Sequence, residues 1–105
     1  MPEPLPRLSP DVAAVRGELS ALRRRLHAEP ELAFAETRTA AVVAERLAVP
    51  GITLRTGVAG TGVVATIRGG RPGRTVLLRA DMDALPIQEA TGAPYASRIV
   101  GVMHA

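Results

Sequence analysis

One hundred and five residues suffice for one domain of ordinary size, or for part of a larger one, and are too few for two cores. The sequence is 47% hydrophobic and 22% charged, which excludes a disordered solvating tail, and a single Phe34, a single Tyr95 and no Trp exclude base stacking on aromatic platforms. The net charge of +3 rests on thirteen basic residues, all Arg and spread along the chain, so the pI of about 11.0 reflects composition and not a nucleic-acid-binding face.

Residues 1–9 hold three prolines and are predicted to form a disordered leader. The start, Met1-Pro2-Glu3-Pro4-Leu5-Pro6, has neither a basic nor an apolar signal-peptide region, and no run approaches the roughly 20 apolar residues of a bilayer span. A soluble, cytoplasmic protein that binds neither membrane nor nucleic acid is the expectation. Ser9-Pro10-Asp11 reads as a helix start, with a hydroxyl cap, Pro at the first helical position and an acid in the first turn. Val12, Val15, Leu19, Leu22 and Leu26 then recur at spacings of three and four, predicting one amphipathic helix that stops near His27 or Ala28, because Pro30 disfavours helix in the residue before it. Arg23-Arg24-Arg25 falls partly on the opposite, solvated face.

A second helix is predicted from Glu36 or Thr37 to about Ala48, burying Ala40, Val43, Ala44 and Leu47 and ended by Pro50-Gly51. Three strands follow, Ile52 to Thr56, Gly62 to Arg68 and Arg74 to Asp81, the last two joined as an antiparallel hairpin through Gly69-Gly70-Arg71-Pro72-Gly73. Residues 84–105 show no period and read as loop. The fold class is α/β, with two helices packed on a sheet.

The third predicted strand carries the chemistry. One face would hold Thr75, Leu77, Arg79, Asp81 and Asp83, passing from apolar to charged where α/β sheets place their sites. Carboxylates two residues apart can bind a hard cation, orient a metal ligand or accept an imidazole proton. Equally, Arg79 and Asp81 could form an ion pair while Asp83 caps the next turn. Gly57-Val58-Ala59-Gly60-Thr61-Gly62 is read as a tight turn needing positive φ, since a phosphate-binding loop must open a helix and here a strand follows. His27 and His104 lack a partner at metal-ligand spacing and are assigned structural hydrogen bonds. Without Cys, these residues hold no thiolate zinc site and no thiol nucleophile.

Several strings act together: Arg24-Arg25-Leu26-His27-Ala28-Glu29-Pro30-Glu31-Leu32, then Phe34, Glu36 and Thr39, then Gly57 to Ala65, then Leu78-Arg79-Ala80-Asp81-Met82-Asp83-Ala84-Leu85-Pro86-Ile87, then Gly101-Val102-Met103-His104-Ala105. In this order and spacing, over about residues 20–105, they resemble the start of the M20 metallopeptidase family, in particular its amidohydrolases of N-acyl amino acids such as hippurate hydrolases. The resemblance implies the amino-terminal, incomplete part of a zinc-peptidase-like catalytic domain over residues 10–105, with the lid or dimerisation domain absent. It implies an amide hydrolase that uses divalent metals, zinc, manganese or similar, in a full-length parent that is homo-oligomeric and takes a small-molecule substrate. Asp83 matches the family's active-site Asp, which orients a metal ligand. Asp81 stands where the wider family has a ligating His and is a weaker metal candidate. The family's remaining ligands and its catalytic Glu match no residue here, so the chain alone is expected to bind no metal and to be inactive. The alternative reading is a self-contained α/β interaction or basic nucleic-acid-binding module.

Overall fold

The computed structural model describes residues 7–105, so most of the predicted leader, residues 1–6, lies outside the described residues. Three helices, α1 (Pro10–Ala14), α2 (Arg16–Ala28) and α3 (Thr37–Leu47), precede an antiparallel pair, β1 (Ile52–Val58) and β2 (Gly62–Ile67). The Ser9 side chain accepts the Val12 N–H at 3.3 Å and Pro10 opens α1, as the sequence predicts. The first helix is not continuous, however. Val15 sits at φ −95°, ψ 2°, and its N–H bonds back to Val12 at 3.3 Å. A β-branched residue two positions before Gly17 is a weak point. Among the described residues Val12, Val15 and Leu19 are exposed, so no buried contact on that side keeps the helix straight. The face predicted to be buried therefore covers only its carboxyl half, where Leu22 and Leu26 are half-buried.

Helix α3 packs against both strands, with Ala40, Val43, Ala44 and Leu47 half-buried. The strand register pairs Ile52 with Ile67 and Arg55 with Val64, then slips by a bulge so that Val58 meets Gly62. The turn takes positive φ at Gly57 (68°), Ala59 (52°) and Gly60 (102°), which bears out the tight-turn reading of this glycine-rich string. Gly62 closes it, for a Cβ there would lie 2.5 Å from the Val58 carbonyl oxygen.

Two strand predictions are corrected. Arg74 to Asp81 forms no strand, and the hairpin joins the first two predicted strands, not the last two. A ladder needs a partner edge, and after residues 69–73 the chain forms no pairing with β2. Val76, Leu77 and Leu78 are left 82%, 85% and 91% exposed. Residues 84–105 are irregular, as predicted, and are held by two isolated bridges, Leu32 with Ala84 and Leu85 with Met103.

The apolar core among the described residues is small: Ala28 and Ala84 are its buried hydrophobic residues, and no large side chain is fully buried. The surface area of 8878 Å² far exceeds the about 5,600 Å² of a complete domain of this mass. The radius of gyration, 16.5 Å, likewise exceeds the about 13 Å of a packed chain of this length. What the core lacks is supplied in part by polar ties. No helix among the described residues is long and apolar enough to cross a membrane.

Candidate functional site

Three glutamates that the sequence reading did not single out as chemistry position the irregular segments. The Glu31 carboxylate reaches the start of α3, accepting the Thr39 N–H at 2.6 Å, the Thr39 hydroxyl at 2.7 Å and the Arg38 N–H at 3.2 Å. Burial works against its ionisation, but the Thr39 bonds, with those from Arg38 and Thr37, outweigh it and hold the carboxyl below its usual range. Its backbone carbonyl meanwhile accepts the Ala84 N–H at 2.8 Å. Glu36, at the N-cap of α3, accepts the Thr61 hydroxyl at 2.6 Å and the Phe34 N–H at 2.9 Å, tying the strand turn to the helix entry. The Thr61 bond is the main cause that lowers the Glu36 pKa, with burial opposing it.

Glu89, whose side chain is 3% exposed, binds His27 Nε2 at 2.7 Å, the Ser97 N–H at 2.9 Å and the Thr91 hydroxyl. The Thr91 and Ser97 bonds, then burial in opposition, then His27, leave its carboxyl below the usual range. Around this pair the Tyr95 ring meets His27 edge-on at 5.9 Å, and the Arg24 guanidinium lies 4.7 Å from the Tyr95 centroid. One Arg of the predicted solvated triplet is thus a stacking partner. The His104 ring centroid stands 6.2 Å from that of His27. These histidines, isolated in sequence, are neighbours in space.

A cavity of about 820 Å³ opens beside this cluster. It is lined by Leu26 and His27 of α2, Val43 and Leu47 of α3, Val63 of β2, and Leu78, Asp81, Met82 and His104. His27 has the structural hydrogen bond assigned to it. His104 does so only in part: its Nε2 is buried and has no hydrogen-bond partner among the described residues. Burial and then the nearby His27 push the His104 pKa down, while the Asp83 carbonyl and carboxylate pull it up. Asp83 is half-buried next to Ala84. Asp81 is 64% exposed and paired with the Arg79 guanidinium at 2.8 Å, one of the two alternatives that the sequence leaves equally open. Asp81 and Asp83 therefore differ in environment, although no strand sets their faces.

The glutamates escaped sequence reading because their partners are distant or irregular. Glu31 caps a helix that begins six residues later, beyond the reach of local capping patterns, and Glu89 answers His27 across most of the chain.

No family model matches the chain. It is 45% identical over 100 residues to a thermostable carboxypeptidase of Saccharolobus solfataricus, covering 94% of this chain and 25% of that protein. It is 42% identical over 98 residues to a hippurate hydrolase of Campylobacter jejuni, covering 93% of this chain and 26% of that one. A solved Bacillus subtilis structure described as a dinuclear metal-binding peptidase of the M20 family matches with a TM-score of 0.79 and 41% identity, over 88% of this chain and 26% of that one. The chain spans about a quarter of the length of the curated relatives it matches.

Proposed function

We propose that this chain, which belongs by sequence and fold to the M20 family of peptidases and amidohydrolases, is part of a metal-dependent enzyme that hydrolyses the amide bond of N-acyl amino acids. In this reading residues 10–105 belong to the catalytic domain, the substrate is a small molecule and not a nucleic acid or membrane, and the enzyme is a cytoplasmic homo-oligomer. The observation that carries it is similarity above 40% identity to hippurate and N-acyl-L-amino acid hydrolases over about nine tenths of the chain, joined to the structural match.

The described residues do not by themselves fit a divalent metal. No three His, Cys, Asp or Glu side chains converge among them, His27 is held by Glu89, and Asp81 is held by Arg79. No step through a metal is assigned to them. Their own contribution is positional. The Asp83 backbone carbonyl accepts from the His104 imidazole and helps hold the ring in one orientation, the charge of the half-buried Asp83 favours its protonated form, and burial keeps that imidazole toward its neutral form. Asp81, more exposed and already paired, is the weaker candidate.

The test has two arms. The 105-residue chain with zinc or manganese should release no amino acid from N-acetyl or N-benzoyl substrates beyond what the free ions achieve. Residues 7–105 grafted in place of the matching segment of the Campylobacter hippurate hydrolase should restore hydrolysis, and Asp83→Ala in that graft should lower kcat with little change in KM, by tenfold or more, about 1.4 kcal/mol. A folded graft whose Asp83→Ala variant turns over normally would remove Asp83 from the reading.

A further inference from the structure

We propose that Glu89 is a positioning residue for His104: it fixes the proton of His27 on Nε2 beside that ring and, through Ser97, helps set the His104 imidazole so that Nδ1 carries its proton and Nε2 is bare. The proposal rests on the reading above only in taking Asp83 and His104 as site residues.

The first step is the pair at the end of α2. The Glu89 side chain is 3% exposed, and its carboxylate accepts from the Thr91 hydroxyl and from the Ser97 N–H at 2.9 Å, bonds that hold it ionised. An ionised carboxylate only accepts, so the hydrogen in its 2.7 Å bond to His27 sits on Nε2 of the ring. Neutral His27 is therefore bare at Nδ1. The Tyr95 ring, with the Arg24 guanidinium over its face, packs edge-on against this imidazole at 5.9 Å.

The second step runs along the chain. With its N–H on Glu89, Ser97 donates its hydroxyl to the Val102 carbonyl at 2.6 Å, and Gln88 Oε1 accepts the Gly101 N–H at 2.7 Å. Both bonds end just before His104, whose ring centroid lies 6.2 Å from that of His27. The Asp83 carbonyl accepts from the His104 ring, and since Nε2 has no partner among the described residues, the donor is Nδ1. Burial and then His27 favour the neutral ring, which leaves Nε2 a bare acceptor. The two imidazoles thus hold opposite tautomers. Such a His104 takes a hydrogen bond or a proton at Nε2 and has none to give there.

The experiment is nitrogen NMR of the imidazoles in the isotope-labelled 105-residue chain at about pH 9, above the usual histidine range, where the shifts report which atom carries the proton. The chain has two histidines, so His27→Gln assigns both. His27 should carry its proton on Nε2 and His104 on Nδ1, each favoured about tenfold over the same ring in urea, the factor that one hydrogen bond of ordinary strength supplies. Ser97→Ala keeps the Glu89–His27 bond, so it should return His104 to its urea ratio and leave His27 as it was. Glu89→Ala should return both; where circular dichroism shows that it has lost its helices, Ser97→Ala carries the test. A structural brace alone would change stability without moving either tautomer. A wild-type His104 protonated on Nε2, either wild-type ring at its urea ratio, or a folded Ser97→Ala chain whose His104 is unmoved overturns the proposal. No substrate or metal takes part, so this result and hydrolysis by the graft fail or hold independently.

Discussion

Replacing Glu31 by Ala removes the tie between the α2–α3 connection and the start of α3. The carboxylate accepts four hydrogen bonds, from the Thr39 N–H (2.6 Å) and hydroxyl (2.7 Å), the Arg38 N–H (3.2 Å) and the Thr37 hydroxyl (3.3 Å). Its capping share is worth about 1 kcal/mol by comparison with other helix N-termini. Thr39 is only 3% exposed, so its amide and hydroxyl would lose partners where water reaches poorly, adding about 1–3 kcal/mol. The expected loss is therefore about 3 kcal/mol, a large share of the stability of a chain this size. Urea unfolding followed by far-ultraviolet circular dichroism measures it. The pH dependence has a definite sign. The folded Glu31 pKa lies below its unfolded value of 4.5, so its contribution is fully present above that value and is lost as pH falls through the folded pKa. Glu31→Gln should lack this acid-side component. A Glu31→Ala variant within about 0.5 kcal/mol of wild type, or an unchanged acid limb in Glu31→Gln, would refute the reasoning.

Gly62→Ala should destabilise by about 1–3 kcal/mol, because its Cβ would sit 2.5 Å from the Val58 carbonyl oxygen and the hairpin must open to admit it; an unchanged urea midpoint would show that the turn relaxes freely. Glu89→Gln should speed amide hydrogen exchange at Ser97, whose N–H it accepts at 2.9 Å, and since the Glu89 pKa is lowered in the fold, wild-type protection there should fall as pH drops below the usual carboxylate range, after correction for the intrinsic exchange rate. Equal Ser97 protection in both proteins would show that Thr91 and His27 do not depend on Glu89 to hold the segment.

Local rules read the elements that local chemistry determines. The Ser9 cap, the stop before Pro30, the span of α3 and the glycine turn at Gly57 to Gly62 depend on residues within one turn of one another, and each stands where it is predicted. Two features set by distant partners were misread. The segment from Arg74 has the composition of a strand, but composition does not supply an edge to pair with, and the upper part of the first helix has an apolar stripe without a surface to bury it. The site shows the same division. Asp81 and Asp83 stand out in the sequence because charges interrupt an apolar run, whereas His27, held by Glu89, and His104 are brought together across most of the chain, and nothing in the spacing of these residues reveals it.

Polar ties, more than apolar packing, place the site residues, and this affects how perturbations spread. Next to Asp83, Ala84 is buried, and its N–H is held by the carbonyl of Glu31, the residue whose carboxylate also caps α3. On the other side Leu85 exchanges both backbone hydrogen bonds with Met103, at 2.8 and 3.0 Å, which fixes His104 one residue further along. Asp83 and His104 are therefore positioned by two short backbone links, one of which passes through Glu31. Movement of the α2–α3 connection must reach Asp83 through that carbonyl, because there is no packed core between them to absorb it. The neutral-leaning His104 ring, with its Nε2 buried, stands at the end of the same path. A buried ring nitrogen without a hydrogen-bond partner among the described residues costs free energy, so a polar group that reached it would stabilise the ring where Asp83 and Met103 place it.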